Sequence, residues 1–480
     1  MTGDWKGLTV MAAACALLVG CSGSSDPADA PTAVASGTTT PLAEPSAVAF
    51  TDCGDACEGE IDGAKYKILL PKEWNGTLLL YSHGYRNPVS VPPDYSPVTS
   101  KAEPSPGYSD GGVPLARNLL SKGYALAGSG WASNGWAVSD GVKANTDLYE
   151  FFAETVGKPE RVYAWGDSLG GLVTMETAEA NPDWVSGAAP LCGVLGGIVP
   201  NFDLAMDVQY GIRELIDPEF QLTGYESADA ASQQFVSTAR KVLDAAGSKK
   251  EQADILALAL LADAKLQTQS QDGSTLDSQV QAAAEAALYA LRIGGTVGRW
   301  DIEQRYGGNI SDNTDTDYAA RFSDEDRALL DEVGGAGTAK RIIAALEEGD
   351  RVSADKGAVR AARKDGGEPS GTIEMPTLTL HTAADPLVAV QNQSLLRDAS
   401  GSTGDLVQLF TVAPGTFPSD PGAPYGAGHC NFTPDSRVGM IDLLDQWVRG
   451  GQPPTEAAVE EAFGADSGFD PTFEPGPWPQ

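Results

Sequence analysis

The chain has 480 residues, of which 42% are hydrophobic, and its 32 basic and 66 acidic residues give a formal charge of −34. This length is sufficient for two domains, and the apolar fraction is sufficient for a large buried core. A chain this acidic lacks the basic surface with which nucleic-acid-binding proteins neutralise phosphates, so we expect no nucleic-acid partner.

Residues 1–20 are typical of an export signal. Lys6 precedes an apolar run from Val10 to Gly20 that is too short to span a bilayer. The run ends in Leu18-Val19-Gly20-Cys21, which resembles the lipobox of bacterial lipoproteins, where the Cys becomes the lipidated first residue. The alternative is a plain secretory signal. We predict a lipoprotein signal peptide and a protein that is secreted or anchored through Cys21 to the extracellular face of the cell membrane, with no other membrane contact.

Residues 21–47 are rich in Ser, Ala, Thr and Pro and have no apolar periodicity, which predicts a disordered tether. Residues 48–193 then alternate strand-like and helical segments, as in a parallel α/β sheet flanked by helices. The predicted strands are Tyr66–Leu70, Thr77–Tyr81, Tyr124–Ala127, Arg161–Trp165 and Val185–Leu191. The predicted helices are Leu115–Lys122, Val142–Val156 and Leu169–Ala180.

The alternation stops between residues 194 and 370, where long Ala-rich stretches favour helix. We predict an all-helical insertion here, termed the lid. The α/β pattern resumes over 371–450 as the second part of the core, and residues 451–480, acidic and Pro-rich, predict an irregular tail. The later predicted elements are the strands Thr377–Leu380 and Val407–Val412 and the helices Val388–Arg397 and Arg437–Arg449.

The segment Gly166-Asp167-Ser168-Leu169-Gly170 fits G-x-S-x-G, with a strand predicted before it and a helix after it. This is the context of a nucleophile elbow, a strained turn that exposes the Ser hydroxyl. An ordinary Gly-rich turn is the alternative. A Ser nucleophile needs a base, and the base needs an orienting acid. Asp385 follows a late strand, and His429 is the only His after it, so we predict Ser168, Asp385 and His429 as the catalytic triad.

The order of strands, the elbow, the late Asp loop and the terminal Gly-His resemble the α/β-hydrolase superfamily. The resemblance implies the α/β-hydrolase fold, with the lid inserted after the strand that follows the elbow. It also implies that Ser82-His83-Gly84-Tyr85 is the oxyanion segment, in which the backbone N–H groups of Tyr85 and Leu169 stabilise the oxyanion. His83 would then be structural, and the alternative makes it the base. His381 is interpreted as a packing residue at a strand end.

Four cysteines follow the signal, and four allow three connectivities. In an oxidising compartment we favour Cys53–Cys57 as a local loop and Cys192–Cys430 as a long-range link, with free thiols as the alternative. A link beside His429 distantly resembles the tannase and feruloyl-esterase family, although Asp167 rather than Cys precedes the nucleophile. Exported actinobacterial lipoprotein hydrolases resemble this chain more closely in their Cys-Gly and Gly-His-Cys segments.

Two further segments allow more than one interpretation. Trp131 and Trp136 lie in a Gly-Ser loop after a strand, where they could form a substrate wall or anchor the loop. Residues 311–317 offer oxygen ligands for Ca²⁺, but they lack the EF-hand Gly and Glu, which favours a solvated acidic loop. We predict no metal site, since neither a zinc spacing nor a dinucleotide fingerprint is present in the sequence.

Three functions are compatible with these motifs. The first is an extracellular serine hydrolase that cleaves carboxylic esters of a small molecule or a polymer through an acyl-enzyme on Ser168. The second is an exported serine peptidase or amidase that uses the same triad, and the third is an inactive surface binding protein. None of these implies a cofactor, and the sequence leaves the oligomeric state open.

Overall fold

A computed structural model describes residues 50–479 apart from 52, 93–96, 109–113, 265–274, 402 and 415–424. The predicted signal peptide, Cys21 and nearly all of the tether lie outside the described residues. No described helix is both long and apolar enough to cross a membrane.

One sheet of eight strands forms the centre of the described structure. The strands are β1 (Glu58–Ile61), β2 (Ala64–Leu69), β3 (Thr77–Ser82), β4 (Ala125–Ser129), β5 (Arg161–Asp167), β6 (Gly187–Leu191), β7 (Thr377–Thr382) and β8 (Leu406–Thr411). Their order in the sheet is β1-β2-β4-β3-β5-β6-β7-β8. The ladders from β4 through β3 to β8 are parallel, and β2 pairs antiparallel with both β1 and β4. This is the α/β-hydrolase fold that the sequence predicts.

Helices cover both faces of the sheet because its central strands are apolar on both sides. Leu79 and Trp165 belong to a core cluster under the helix Pro434–Gly450, whereas Leu78 and Val162 pack with Leu148 of the helix Val138–Thr155. All six residues of β3 and of β7 are buried. Continuous apolar strands of this kind are expected where a parallel sheet is covered on both faces.

The helices outside the lid are α1 (Pro114–Ser121), α2 (Val138–Thr155), α3 (Leu169–Ala180), α12 (Asn392–Ser400), α13 (Pro434–Gly450) and α14 (Glu456–Phe463). The lid helices are α4 (Ile198–Leu215), α5 (Ala228–Gly247), α6 (Gln252–Leu261), α7 (Leu276–Tyr289), α8 (Val297–Tyr306), α9 (Asp324–Gly334), α10 (Thr338–Glu348) and α11 (Lys356–Asp365). A π-helical turn, Ala290–Gly294, follows α7. The described part of the lid contains no strand, and a separate apolar cluster forms its centre.

The tail departs from the irregular structure that its composition predicts. Residues 456–463 form α14, which Thr455 caps by accepting a hydrogen bond from the N–H of Ala458. Val459 and Phe463 of this helix are almost fully buried against α13 and the sheet. The expectation was wrong because the Pro residues stand on either side of this short amphipathic segment rather than within it.

Candidate active site

Ser168 occupies the sharp turn between β5 and α3. Its backbone has φ 60° and ψ −123°, and its N–H donates to the carbonyl of Leu191 at 2.9 Å. A side chain at Gly166 or Gly170 would stand 2.6 Å or less from backbone carbonyls, so only glycine fits at these positions. A strained turn of this kind at a strand end is the local structure that G-x-S-x-G encodes.

His429 and Asp385 are joined by a hydrogen bond of 2.8 Å between the imidazole Nδ1 and the carboxylate Oδ2. The other carboxylate oxygen accepts from the N–H groups of Leu387 and Val388, both at 2.9 Å. Burial would raise the pKa of Asp385, but the His429 imidazole, with smaller contributions from His381 and the N–H of Val388, outweighs burial, and the pKa lies below its ordinary value. An ionised carboxylate only accepts hydrogen bonds, so Nδ1 of His429 carries a proton, and Nε2 is the ring nitrogen that faces away from Asp385.

The structure places Ser168 and Asp385 on the same pocket, but no hydrogen bond joins Ser168 to His429 among the described residues. Nε2 of His429 lies 3.4 Å from Sγ of Cys430 instead. Nucleophile–base hydrogen bonds are often long without substrate and tighten when it binds. The acid–base half of the predicted triad is therefore formed here, and the nucleophile–base half is not.

The predicted oxyanion residues lie beside Ser168. Tyr85 and Leu169 line the pocket together with Ser168. Leu169 is the first residue of α3, so its N–H has no acceptor within the helix. A side-chain carbon at Gly84 would lie 3.4 Å from Cβ of Ser168, which shows how closely the segment before Tyr85 approaches the nucleophile.

The other two histidines are buried inside the protein. The His83 ring stacks on Trp131 with 3.9 Å between ring centroids, and burial together with Arg86 lowers its pKa well below the ordinary value. His381 contacts the carbonyl of Val388 and the side-chain amide of Gln393 through its two ring nitrogens. Burial lowers the pKa of His381 as well, so both side chains are neutral parts of the core.

Two disulfides are present, Cys53–Cys57 and Cys192–Cys430, as the favoured pairing predicts. The second joins the residue after β6 to the residue after His429. Among the described residues, Cys192, His429 and Cys430 form the only close group of three side chains able to ligate a metal, and the disulfide occupies both sulfurs. In the loop 311–317, Asp312 accepts hydrogen bonds from the N–H groups of Thr314 and Ala354, which is the role of a loop-closing residue.

A cavity of about 110 Å³ lies between Ser168 and the lid. Its lid side is lined by apolar and small side chains, which are Val194, Phe202, Leu204, Ala205, Val208, Leu258, Ala259, Ala262, Ala264, Ala286, Ala287, Tyr289, Ala290 and Ile293. The cavity is many times larger than the space that one water molecule needs, so it has room for a small organic group. A mostly apolar pocket with a few polar groups at one end is typical of a small-molecule site.

The two tryptophans of the Gly-Ser loop have different positions. Trp136 lines the pocket, packs edge-on against Phe202 with 5.0 Å between centroids, and donates from its indole N–H to the carbonyl of Gly366 at 2.7 Å. Trp131 lies behind His83 and is not among the described residues that line the pocket. Trp136 therefore has the position of a substrate wall, and Trp131 has the position of a loop anchor.

No family model matches the chain. The sequence is 24% identical over 450 residues to an o-phthalyl amidase from Xanthobacter agilis, and the match covers 85% of this chain and 89% of that protein. Among solved structures, feruloyl esterase B from Aspergillus oryzae is 16% identical, with a TM-score of 0.37 and coverage of 82% and 80% of the two chains. The esterase LipA from Xanthomonas oryzae is 13% identical, with a TM-score of 0.32 and coverage of 72% and 78%.

Sequence reasoning missed the lid residues that line this pocket. Asn201 of α4 lines the pocket and forms a reciprocal amide pair with Asn392 of α12, with N–O distances of 2.8 and 3.0 Å. The π-helical turn contributes Ala290, Ile293 and Gly294 to the same wall. Nothing in a single Ala-rich sequence distinguishes these residues from the remainder of the lid, because each reaches the pocket only through the packing of several helices.

Proposed function

We propose that this protein is a serine hydrolase that cleaves carboxylic esters of an apolar or aromatic acyl group through an acyl-enzyme on Ser168. The observation that carries the proposal is the hydrogen bond between His429 and the buried Asp385, formed beside a Ser on an elbow that opens into an apolar pocket. A protein that only binds a ligand needs none of these three groups.

The proposed reaction has two halves. Oγ of Ser168 attacks the substrate carbonyl while Nε2 of His429 takes its proton, and the negative charge moves to the carbonyl oxygen. The N–H groups of Tyr85 and Leu169 would donate to that oxygen. The carbon–oxygen bond to the alcohol then breaks, and the alcohol leaves with the proton from His429. Water repeats the sequence on the acyl-enzyme, and the acid and free Ser168 are formed.

The acyl preference is argued from the pocket wall. Phe202, Tyr289 and Trp136 contribute aromatic rings, and six of the lid residues that line the pocket between 259 and 290 are alanines. Aromatic walls bury large apolar area, and small residues leave space for a ring between them. Asp385 is the one carboxylate on the described wall, and it is occupied by His429.

The second candidate is an amidase on the same machinery. The o-phthalyl amidase relative, which matches along 85% of this chain, favours it. A phthalyl group is an aromatic acyl group, so it agrees with the same pocket wall. The two candidates differ in the leaving group, because an amine must be protonated before it can leave and an alkoxide is the better leaving group.

A panel of p-nitrophenyl esters and the corresponding p-nitroanilides, each with acetyl, butyryl and benzoyl groups, tests both candidates. We expect ester turnover, highest with benzoyl, that is lost in S168A and kept in S121A, which changes an exposed Ser of α1. Anilide turnover lost in S168A would move the assignment to the amidase. Turnover that survives in S168A would refute the serine mechanism. So would a wild-type protein that shows no turnover and is not labelled by a fluorophosphonate.

We further propose that the protein is exported and anchored through Cys21. Two disulfides support export, because such links persist in oxidising compartments. The lipobox-like segment before Cys21 supports the anchor. Labelling of the wild type by a fatty-acid analogue in the producing cell, with no labelling of C21A, is the expected result. Equal labelling of both would refute the anchor.

A further inference from the structure

The loop that carries His429 is attached to the ends of three adjacent strands. At the end of β7, Ala384 pairs with Ala427 and its carbonyl accepts the N–H of Gly428 at 2.9 Å. At the end of β6, the disulfide joins Cys192 to Cys430. The first attachment is made by the backbone and the second is covalent.

The third attachment is made by Arg437 to the end of β5. One guanidinium nitrogen, Nη1, donates to both carboxylate oxygens of Asp167, at 2.7 and 2.8 Å. The other, Nη2, donates to the backbone carbonyl of Cys430 at 3.0 Å. One guanidinium therefore connects the residue before Ser168 with the residue after His429, and we term this connection the Arg437 link.

The surroundings of the Arg437 link make it more costly to break than a surface ion pair. The side chains of Asp167 and Arg437 are only 14% and 10% exposed. The guanidinium also lies over the ring of Phe432, 5.4 Å from its centroid, and Tyr81 donates to Asp167 at 3.5 Å. Exposed ion pairs contribute about 0–1 kcal/mol, whereas breaking a desolvated pair leaves a charge that the protein must accommodate.

We propose that Arg437 is a positioning residue that sets the distance between the nucleophile and its base. This inference rests on the proposed function of Ser168 and His429. The two side chains come from different elements, and no hydrogen bond joins them in the described structure, so the backbone on either side must define their separation. A planar guanidinium fixes two acceptors relative to each other, which a Lys ammonium does not do.

The experiment compares R437Q, R437K and D167N with R449Q, which removes another Arg of α13 that pairs with Asp445 at 3.5 Å. A displacement of about 1 Å between reacting groups costs roughly 100-fold in rate. We expect kcat of R437Q and D167N to fall by roughly 10- to 100-fold, with KM changed less than about twofold, and R437K to lie between them and the wild type. Fluorophosphonate labelling of Ser168 should slow in parallel, and R449Q should match the wild type in both assays.

Hydrogen exchange of peptides that cover residues 425–432 supplies a readout that is independent of turnover. We expect faster exchange there in R437Q and D167N, with unchanged exchange in β3 and β7. A wild-type kcat in both R437Q and D167N would overturn the positioning role. The same conclusion would follow if hydrogen exchange of 425–432 and turnover in these variants were no different from those of R449Q. If R437Q does not fold, D167N alone tests the positioning role, because Asn has the shape of Asp and removes the charge without changing the packing. A wild type that no fluorophosphonate labels would refute the proposed function, and the exchange result would still decide whether the Arg437 link orders the loop.

Discussion

Removal of the Cys192–Cys430 disulfide as C192A/C430A should impair both stability and turnover. Its two cysteines are separated by 238 positions, whereas Cys53 and Cys57 are separated by 4. In the chain-entropy treatment, the entropy lost on closing these loops raises the free energy of the unfolded chain by about 5.5 kcal/mol for the first disulfide and about 2 kcal/mol for the second. The difference of about 3.5 kcal/mol is the quantity to test, and C53A/C57A is the matched control.

Urea unfolding followed by tryptophan fluorescence measures the free energy of unfolding of both double variants, and the ester assay measures kcat. We expect C192A/C430A to lose about 3.5 kcal/mol more of its free energy of unfolding than C53A/C57A. The kcat of C192A/C430A should also fall, because Cys430 adjoins His429, whereas kcat of C53A/C57A should not change. Equal losses of stability would refute the loop-entropy reasoning. Unchanged turnover in C192A/C430A would show that the base is held without the disulfide.

Three further predictions concern the acid, a buried carboxyl and the pocket. D385N should lower kcat by roughly 10⁴-fold with little change in KM, because the neutral amide no longer selects the Nδ1–H tautomer of His429. Steady-state kinetics with the ester substrates measure both constants. Burial, with Glu179 nearby, raises the pKa of Glu176 from 4.5 to about 7. A carboxyl group with a raised pKa contributes stability below pH 4.5, and that stability is lost as the pH rises to about 7. The melting temperature of E176Q should therefore match that of the wild type at pH 4 and exceed it at pH 8. The control E150Q, which changes an exposed Glu, should show no such difference between the two pH values. A262F should lower kcat/KM for benzoyl esters by roughly 10-fold or more relative to acetyl esters, and an equal loss for both would contradict the proposed acyl pocket.

The sequence by itself determined the fold and the candidate triad. Alternating strand and helix patterns predict a parallel sheet, and the elbow motif depends on local sterics that glycine alone satisfies. A candidate base could be named because only one of three histidines follows Asp385. Such features are local or follow from chain order, so no knowledge of packing is needed. Within the lid, which composition predicts to be helical, the glycines at 334, 335 and 337 separate α9 from α10.

Only the tertiary structure decided which distant side chains meet. Asp167 and Arg437 are 270 positions apart, and neither position carries a motif that predicts their contact. Trp131 and Trp136 have the same local pattern, yet one packs on His83 and the other lines the pocket. Periodicity indicates that a residue is buried, but not what it is buried against, because that depends on how separate helices and strands pack together. The pocket wall and the Arg437 link both depend on this packing, so neither could be predicted from the sequence.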